Sequence, residues 1–299
     1  MSAPTFDDRD GYIWFNGSLM PWRGAKVHVL THALHYASCV FEGERAYRGK
    51  VFKLEEHTDR LFFSAGMLDM KIPFTPQQIN DATNETIRAN SLTDCYVRPL
   101  AWRGSEMMGV AAQTTKTNVA IAVWQWPSYF SPAERLKGIR LDISTWRRPA
   151  PDTAPVKAKA AGLYMICTLG KHAAERKGYD DALMLDYRGL VAEATGANVF
   201  FVINGEIHTP TPDCFLDGIT RRSVIALAKA RGYKVIERAI QPEEMSKATE
   251  CFLTGTAAEV TPVREVGPYK FSPGDVCRTL MADFDIATGK TDAAKSAAA

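Results

Sequence analysis

Apolar and aromatic positions in Tyr12-Ile13-Trp14-Phe15 and Ser18-Leu19-Met20 flank the dipeptide Asn16-Gly17. Asn-Gly supplies the two positive-φ positions of a tight two-residue turn, so this segment reads as a β-hairpin. The apolar period then lengthens: Leu54, Leu61, Phe62, Ala65 and Leu68 recur at helical spacing. A second helix opens at Thr75-Pro76-Gln77-Gln78 and carries Ile79, Ala82 and Ile87. There threonine caps the helix, proline fits the first turn and glutamine completes a capping box. Apolar runs at 95–101, 119–124 and 139–143 read as strands. Residues 163–177 read as a helix stopped by Gly178. Further hairpins turn near Arg188-Gly189 and at Asn204-Gly205, the latter joining 199–203 to 207–209. A helix from about Thr220 to Arg231 ends at Gly232, and strands at 235–240 and 251–254 follow.

Two prolines in Trp126-Pro127-Ser128-Tyr129-Phe130-Ser131-Pro132 break regular structure. An interdomain connection is expected at 126–134, between a small N-terminal domain at 1–125 and a larger domain at 135–299. The residues 291–299 are small and polar and are expected to fray. Strands, hairpins and helices without regular β-α-β alternation argue for an α+β chain over a doubly wound sheet.

Composition narrows the classes. With 299 residues, 46% hydrophobic and 23% charged, the chain can bury a sizeable core as an ordinary globular protein. Its net charge of +2, with no basic cluster, argues against a nucleic-acid partner. No apolar stretch is long enough to span a bilayer, and the first residues lack the basic and apolar regions of a signal peptide. No membrane association is expected, and a cytoplasmic location is. Cys39, Cys95, Cys167, Cys214, Cys251 and Cys277 are scattered without a C-x-x-C pair, as free thiols in a reducing compartment would be. His32 and His35 have no third ligand near them in sequence, so structural hydrogen bonding is expected and no metal.

Three short constellations bear chemistry. Lys157 and Lys159 sit among small apolar neighbours in Thr153-Ala154-Pro155-Val156-Lys157-Ala158-Lys159-Ala160-Ala161-Gly162-Leu163-Tyr164. Dehydration frees a lysine amine for Schiff-base chemistry. Two lysines two apart on an extended segment share a face, so spacing does not choose between them. Glu193, in Val191-Ala192-Glu193-Ala194-Thr195-Gly196-Ala197-Asn198, is a carboxylate ahead of an apolar strand. Such a group can be an ordinary solvated strand end, or the counter-charge that keeps a pyridine nitrogen protonated. Leu216-Asp217-Gly218-Ile219-Thr220-Arg221 opens a helix, where exposed N–H groups and the macrodipole suit a phosphate. An ordinary cap would look the same. Thr254-Gly255-Thr256-Ala257-Ala258-Glu259 is a second small-residue turn, and a basic side chain such as Arg60 could complete an anion cup.

In this order the constellations resemble the class IV aminotransferases of fold type IV, and among them the bacterial branched-chain amino acid aminotransferases. The resemblance runs from Tyr12 to about Ala287. It includes Trp14-Phe15-Asn16-Gly17, Ala25-Lys26-Val27-His28-Val29-Leu30, His32-Ala33-Leu34-His35-Tyr36, Val40-Phe41-Glu42-Gly43-Glu44-Arg45, Glu56-His57-Thr58-Asp59-Arg60-Leu61 and Tyr96-Val97-Arg98-Pro99-Leu100. It implies a small N-terminal α/β domain, a larger C-terminal mixed α/β, barrel-like domain, and pyridoxal 5′-phosphate as cofactor.

Matched to the family's motifs, Lys159 rather than Lys157 would carry the cofactor and move the proton. Tyr164 would meet the cofactor's phenolic oxygen, and Glu193 its pyridine nitrogen. Arg60, Gly218, Ile219, Thr220 and Thr256 would hold the phosphate. Tyr96 and the turn amides near Ala257 would receive the substrate α-carboxylate, with Arg98 for the distal carboxylate of glutamate. Gly43 and Arg45 belong to the same substrate motif. Phe41, Tyr36, Trp126, Tyr129 and Tyr164 would wall the apolar pocket, with Met108 and Val110 reaching in from a second subunit.

The implied activity is transamination of leucine, isoleucine and valine with 2-oxoglutarate by a ping-pong mechanism. The expected partners are amino acids, 2-oxo acids and further copies of the chain, as a homodimer or a higher homo-oligomer such as a hexamer. The alternatives are a D-amino-acid or (R)-amine transaminase, an aminodeoxychorismate lyase, and a silent cofactor-binding protein. The motif departs from the family at Ala161-Gly162-Leu163, where Gly-Gly-Asn is common, at Glu44 and at Met107. These changes bear on substrate range rather than on the cofactor.

Overall fold

A computed structural model describes residues 5–126 and 136–291. Tyr129, all of the expected connection except Trp126, and all of the expected tail except Thr291 lie outside the described residues. Contacts gather the described chain into two units, 5–126 with 158–162, and 136–157 with 163–291. Residues 158–162, which the sequence boundaries set in the C-terminal domain, fall in the first unit because Ala160 bridges Val40 and the Lys159 carbonyl accepts the Phe41 N–H.

The first unit begins with β1 (Tyr12–Phe15) and β2 (Ser18–Pro21), joined through Asn16 and Gly17 at φ 48° and 110°. It continues through α1 (His32–Tyr36), β3 (Cys39–Phe41), β4 (Glu44–Tyr47) and β5 (Lys50–Val51). Helices α2 (Leu54–Met67) and α3 (Pro76–Ala89) precede the long strands β6 (Cys95–Arg103) and β7 (Thr117–Gln125). The sheet order is β2-β1-β7-β6-β4-β5, and β3 also pairs with β6. The capping box of α3 forms as read: the Gln78 N–H donates to Thr75 Oγ1, and the Thr75 N–H donates to Gln78 Oε1. Helices α2 and α3 pack on one another, burying Leu61, Ala65, Ile79, Ala82 and Ile87.

The second unit is built on β8 (Ile139–Ile143), α4 (Met165–Arg176), β9 (Asp181–Leu185), β10 (Val191–Ala194), β11 (Asn198–Ile203) and β12 (Glu206–Pro210). It continues with α5 (Ile219–Ala230), β13 (Val235–Arg238), β14 (Ala248–Gly255), β15 (Glu259–Val266), β16 (Tyr269–Lys270) and α6 (Asp275–Ala287). Strands run β10-β9-β8-β15-β14-β11 and on to β12 and β13. Because β10 also pairs with β11 through Glu193 and Asn198, six strands close on themselves, which removes the free edge of β10. Alternate residues of these strands, among them Leu141, Leu183, Val199, Phe201, Leu253 and Val263, form one buried cluster.

Strand β15 and helix α6 have no counterpart among the elements read from sequence. The start of α6 is met by a distant group, since Glu250 of β14 accepts the Cys277 N–H at 2.9 Å. All six cysteines are free, and five of them are buried. Among the described residues no helix is long and apolar enough to cross a membrane.

Candidate active site

In the first unit the backbone at Lys159 is pinned from two sides. Its N–H donates to Ser64 Oγ on α2 at 3.0 Å, and its carbonyl accepts the Phe41 N–H at 3.1 Å. The side chain is half-buried, with Nζ 5.1 Å from the centre of the Phe41 ring. Lys157 lies exposed in a turn. The segment is therefore not extended at 156–157, and the shared face assumed from spacing does not exist.

Arg60, one turn before Ser64 on α2, grips Glu42. Its Nε and Nη2 donate to the two carboxylate oxygens at 2.7 and 2.8 Å, and His57 Nδ1 shares Glu42 Oε2 at 2.7 Å. Burial alone would raise the Glu42 carboxyl, but Arg60's charge and fork, helped by His57, hold it well below the usual carboxylate range. His57 is pushed down by burial, against the pull of its bond to Glu42. Two residues along, Glu44 is equally buried, and its Oε2 has no partner. Burial and the neighbouring Glu42 charge push its carboxyl well above its ordinary value, which favours the protonated form.

A second group gathers along β6. Arg98 Nη2 donates to the Tyr96 hydroxyl at 3.1 Å, and its guanidinium lies 4.7 Å from the Phe41 ring centre. Tyr96 packs on Trp124 and Trp126, each at 5.0 Å. A side chain at Gly43 would overlap the Tyr96 hydroxyl. Arg45 is buried and donates to the Trp126 carbonyl at 3.5 Å. Phe41, Gly43, Arg45, Tyr96, Arg98 and Trp126 are therefore brought together. Tyr36 is exposed and stacks on His32, and Met108 and Val110 stand exposed between β6 and β7. His32 bonds Ser38 and the Gly109 carbonyl, and His35 bonds the Val29 carbonyl.

In the second unit Glu193 sits on the inter-strand pair that closes the barrel, only 8% exposed. Its Oε1 lies 3.5 Å from Nε of the buried Arg148, and its Oε2 accepts from Asn198 Nδ2 at 3.2 Å. Burial would depress Arg148, but the Glu193 charge, with Cys167 and Tyr164, lifts it above its ordinary value. Tyr164 is half-buried at the N-cap of α4. Helix α5 starts at Gly218 with no side chain capping it, and Ile219 and Thr220 of its first turn are buried. Such a start offers N–H groups and the positive end of the dipole. Thr256 is half-buried and Ala257 exposed on the turn from β14 to β15, below the partnerless buried hydroxyl of Thr254.

Sequence reading assigned no role to Glu42, His57, Ser64, Arg148 or Asn198. Glu42 and His57 stood inside quoted motifs. Asn198 also stood inside a quoted motif, five residues from the Glu193 it bonds, whereas the parts played by Ser64 and Arg148 depend on long-range packing and left no local mark.

The family model described as amino-transferase class IV matches residues 39–266. The chain belongs to the class IV aminotransferases. A relative of this class IV aminotransferase, the branched-chain-amino-acid aminotransferase of Pseudomonas aeruginosa, is 44% identical over 294 residues, 96% of each chain. Among solved structures, the T.th. branched-chain amino acid aminotransferase with pyridoxamine 5′-phosphate superposes with a TM-score of 0.91. The two are 40% identical over 95% of this chain and 96% of that one. The same enzyme with N-(5′-phosphopyridoxyl)-L-glutamate gives 0.89, at the same identity and coverage. The mixed α/β fold with its closed six-strand sheet is accordingly that of fold type IV.

Proposed function

We propose that the protein transfers the amino group of leucine, isoleucine or valine to 2-oxoglutarate, in a ping-pong exchange that uses pyridoxal 5′-phosphate. The observation that carries this reading is the setting of Lys159: an amine on a backbone pinned by Ser64 and Phe41, half-buried against an aromatic ring.

The residues fit the cofactor. The uncapped start of α5 at Gly218, with buried Ile219 and Thr220, suits a phosphate, and the buried Glu193 suits a protonated ring nitrogen. When bound, pyridoxal 5′-phosphate supplies an aldehyde that takes up an amino group and a ring that absorbs negative charge from the α-carbon. Lys159 Nζ would hold the cofactor, and its amine would serve as the base that takes the substrate's α-proton and gives it back. Arg60, Thr220, Thr256 and the amides at Gly218 and Ile219 bind the phosphate. Tyr164 orients the ring through its phenolic oxygen, and Glu193 keeps the nitrogen protonated.

Tyr96 and the turn amides at Ala257 receive the α-carboxylate. Arg98, already bonded to Tyr96, takes the distal carboxylate of glutamate. Phe41, Tyr36, Trp126 and Tyr164 would exclude water from a branched side chain, with Gly43 and Arg45 in the same substrate motif. The exposure of Met108 and Val110 supports a homo-oligomer in which these residues cover a second copy's pocket.

A donor panel against 2-oxoglutarate tests this. L-leucine, L-isoleucine and L-valine should react with parallel double-reciprocal lines, while D-amino acids and (R)-amines should not. Borohydride should bleach the yellow enzyme and abolish activity. Turnover of D-alanine or an (R)-amine without turnover of L-leucine would overturn the assignment.

A further inference from the structure

Asn198 opens β11 and is only 5% exposed. Strand register sets Glu193 of β10 across from it on one side and Thr254 of β14 on the other. Residues directly opposite on paired strands share a face, so these form one polar row across three strands of the closed sheet. Both hydrogens of the Asn198 amide are used. One goes to Glu193 Oε2 at 3.2 Å, and the other to the Leu216 carbonyl at 2.9 Å in the segment that leads into α5. Its Oδ1 lies against Gly218, where any Cβ would collide with it. Glycine is needed at this N-cap for that close approach. Aspartate at 198 would offer no donor to either acceptor, and leucine would fill the space but satisfy neither.

We infer that Asn198 is a positioning residue that holds the Glu193 carboxylate and the N-terminus of α5 in register, so that one cofactor is met at its ring nitrogen and its phosphate together. This rests on the reading above that Glu193 serves the ring and the start of α5 the phosphate. Two subsites joined rigidly make the second contact intramolecular once the first is made, and the gain depends on their spacing. An error in spacing removes that gain and leaves each subsite intact on its own. Asn198 is the group through which the spacing is set, because one planar amide touches the carboxylate, the carbonyl ahead of the helix and the helix cap.

The experiment titrates apoenzyme with three probes, pyridoxal 5′-phosphate, pyridoxal and inorganic phosphate, following binding by absorbance and calorimetry. In Asn198→Ala, pyridoxal 5′-phosphate should bind about tenfold or more weakly, while pyridoxal and inorganic phosphate each change by less than about twofold. Asn198→Leu, which fills the space but donates to neither acceptor, should give the same signature and carries the test if Asn198→Ala does not fold. Inorganic phosphate weakened as much as the whole cofactor would mean that Asn198 only shapes the helix start. Pyridoxal weakened as much would mean that it acts on Glu193 alone. Either result, or an unchanged affinity for pyridoxal 5′-phosphate, overturns the inference. Glu193→Gln tests the underlying reading separately: unchanged pyridoxal affinity and bound-cofactor spectrum there would remove Glu193 from the ring, whatever Asn198→Ala does.

Discussion

Replacing Glu42 by glutamine isolates the charge of a buried ion pair while keeping its shape. The carboxylate is fully buried and meets Arg60 through a fork at 2.7 and 2.8 Å, and Arg60's own side chain is 14% exposed, so water screens the pair little. Glutamine retains one hydrogen-bond acceptor but deletes the charge that compensates the guanidinium. Breaking a buried pair from one side costs about 3 kcal/mol or more. For a chain of this length that corresponds to a fall of roughly 6 °C in apoenzyme Tm.

The pH dependence carries a sign. The folded-state carboxyl is held far below its ordinary value of 4.5, so Glu42's contribution is complete above about pH 4.5 and declines as pH falls toward the folded value. The decline amounts to about 1.4 kcal/mol per pH unit. Glu42→Gln lacks this dependence, so the gap between the proteins should be widest near neutrality and narrow from about pH 4.5 downward. Calorimetric scans of both apoenzymes from about pH 3.5 to about pH 7 would read it. A gap under about 1 °C near neutrality, or one that widens in acid, would refute the reasoning.

Glu44 behaves oppositely. Its carboxyl is raised by burial and by Glu42, so its favourable contribution is present below about pH 4.5 and is lost as pH rises through the folded value. Glu44→Gln should therefore be increasingly stabilising at alkaline pH, by about 1–3 kcal/mol, read as a higher urea midpoint at about pH 9 than wild type. Lys159→Ala should abolish transamination of L-leucine and Lys157→Ala should spare most of it, by initial rates at saturating cofactor; the reverse result would mean the wrong lysine has been chosen. Thr75→Ala, which removes the cap of α3 and half of its box, should cost about 1 kcal/mol without altering kcat, as a lowered denaturation midpoint would show.

What could be read from sequence was what four or five neighbouring residues decide. The Asn16-Gly17 hairpin and the Thr75–Gln78 box are closed by bonds inside their own segments, and both form as expected. Helix α6 does carry buried Cys277, Leu280, Met281 and Phe284 at helical spacing, but its cap is Glu250 from another element, so its start is unmarked locally. In β15 the buried pattern is interrupted at Thr261 and Arg264, and Pro262 sits within it, which blurs a period-two signal. The lysine pair shows the same limit within the candidate site. An extended backbone was assumed, and a turn at 156–157 instead exposes one lysine while the next is tied to α2. Neither Ser64 nor Arg148 has neighbours in sequence that foretell its partner, since strand pairing and helix docking bring those partners from many residues away.

The charges of the proposed cofactor site follow from the need to fold without it. A guanidinium or carboxylate buried alone would cost several kcal/mol, which is a large share of a domain's whole stability. The chain answers each ion itself: Arg60 is met by Glu42, and Glu193 by Arg148. The two answers differ in closeness. Arg60 is gripped by a two-bond fork, whereas Arg148 Nε stands 3.5 Å from Glu193 and makes no hydrogen bond to it. A fully compensated arginine can still bind a phosphate, because that ligand brings up to two negative charges of its own. A carboxylate that must keep a pyridine nitrogen protonated has only its own charge to offer, and an arginine forked onto it would neutralise that charge. The looser contact lowers the cost of burying Glu193 without neutralising its charge as a two-bond fork would.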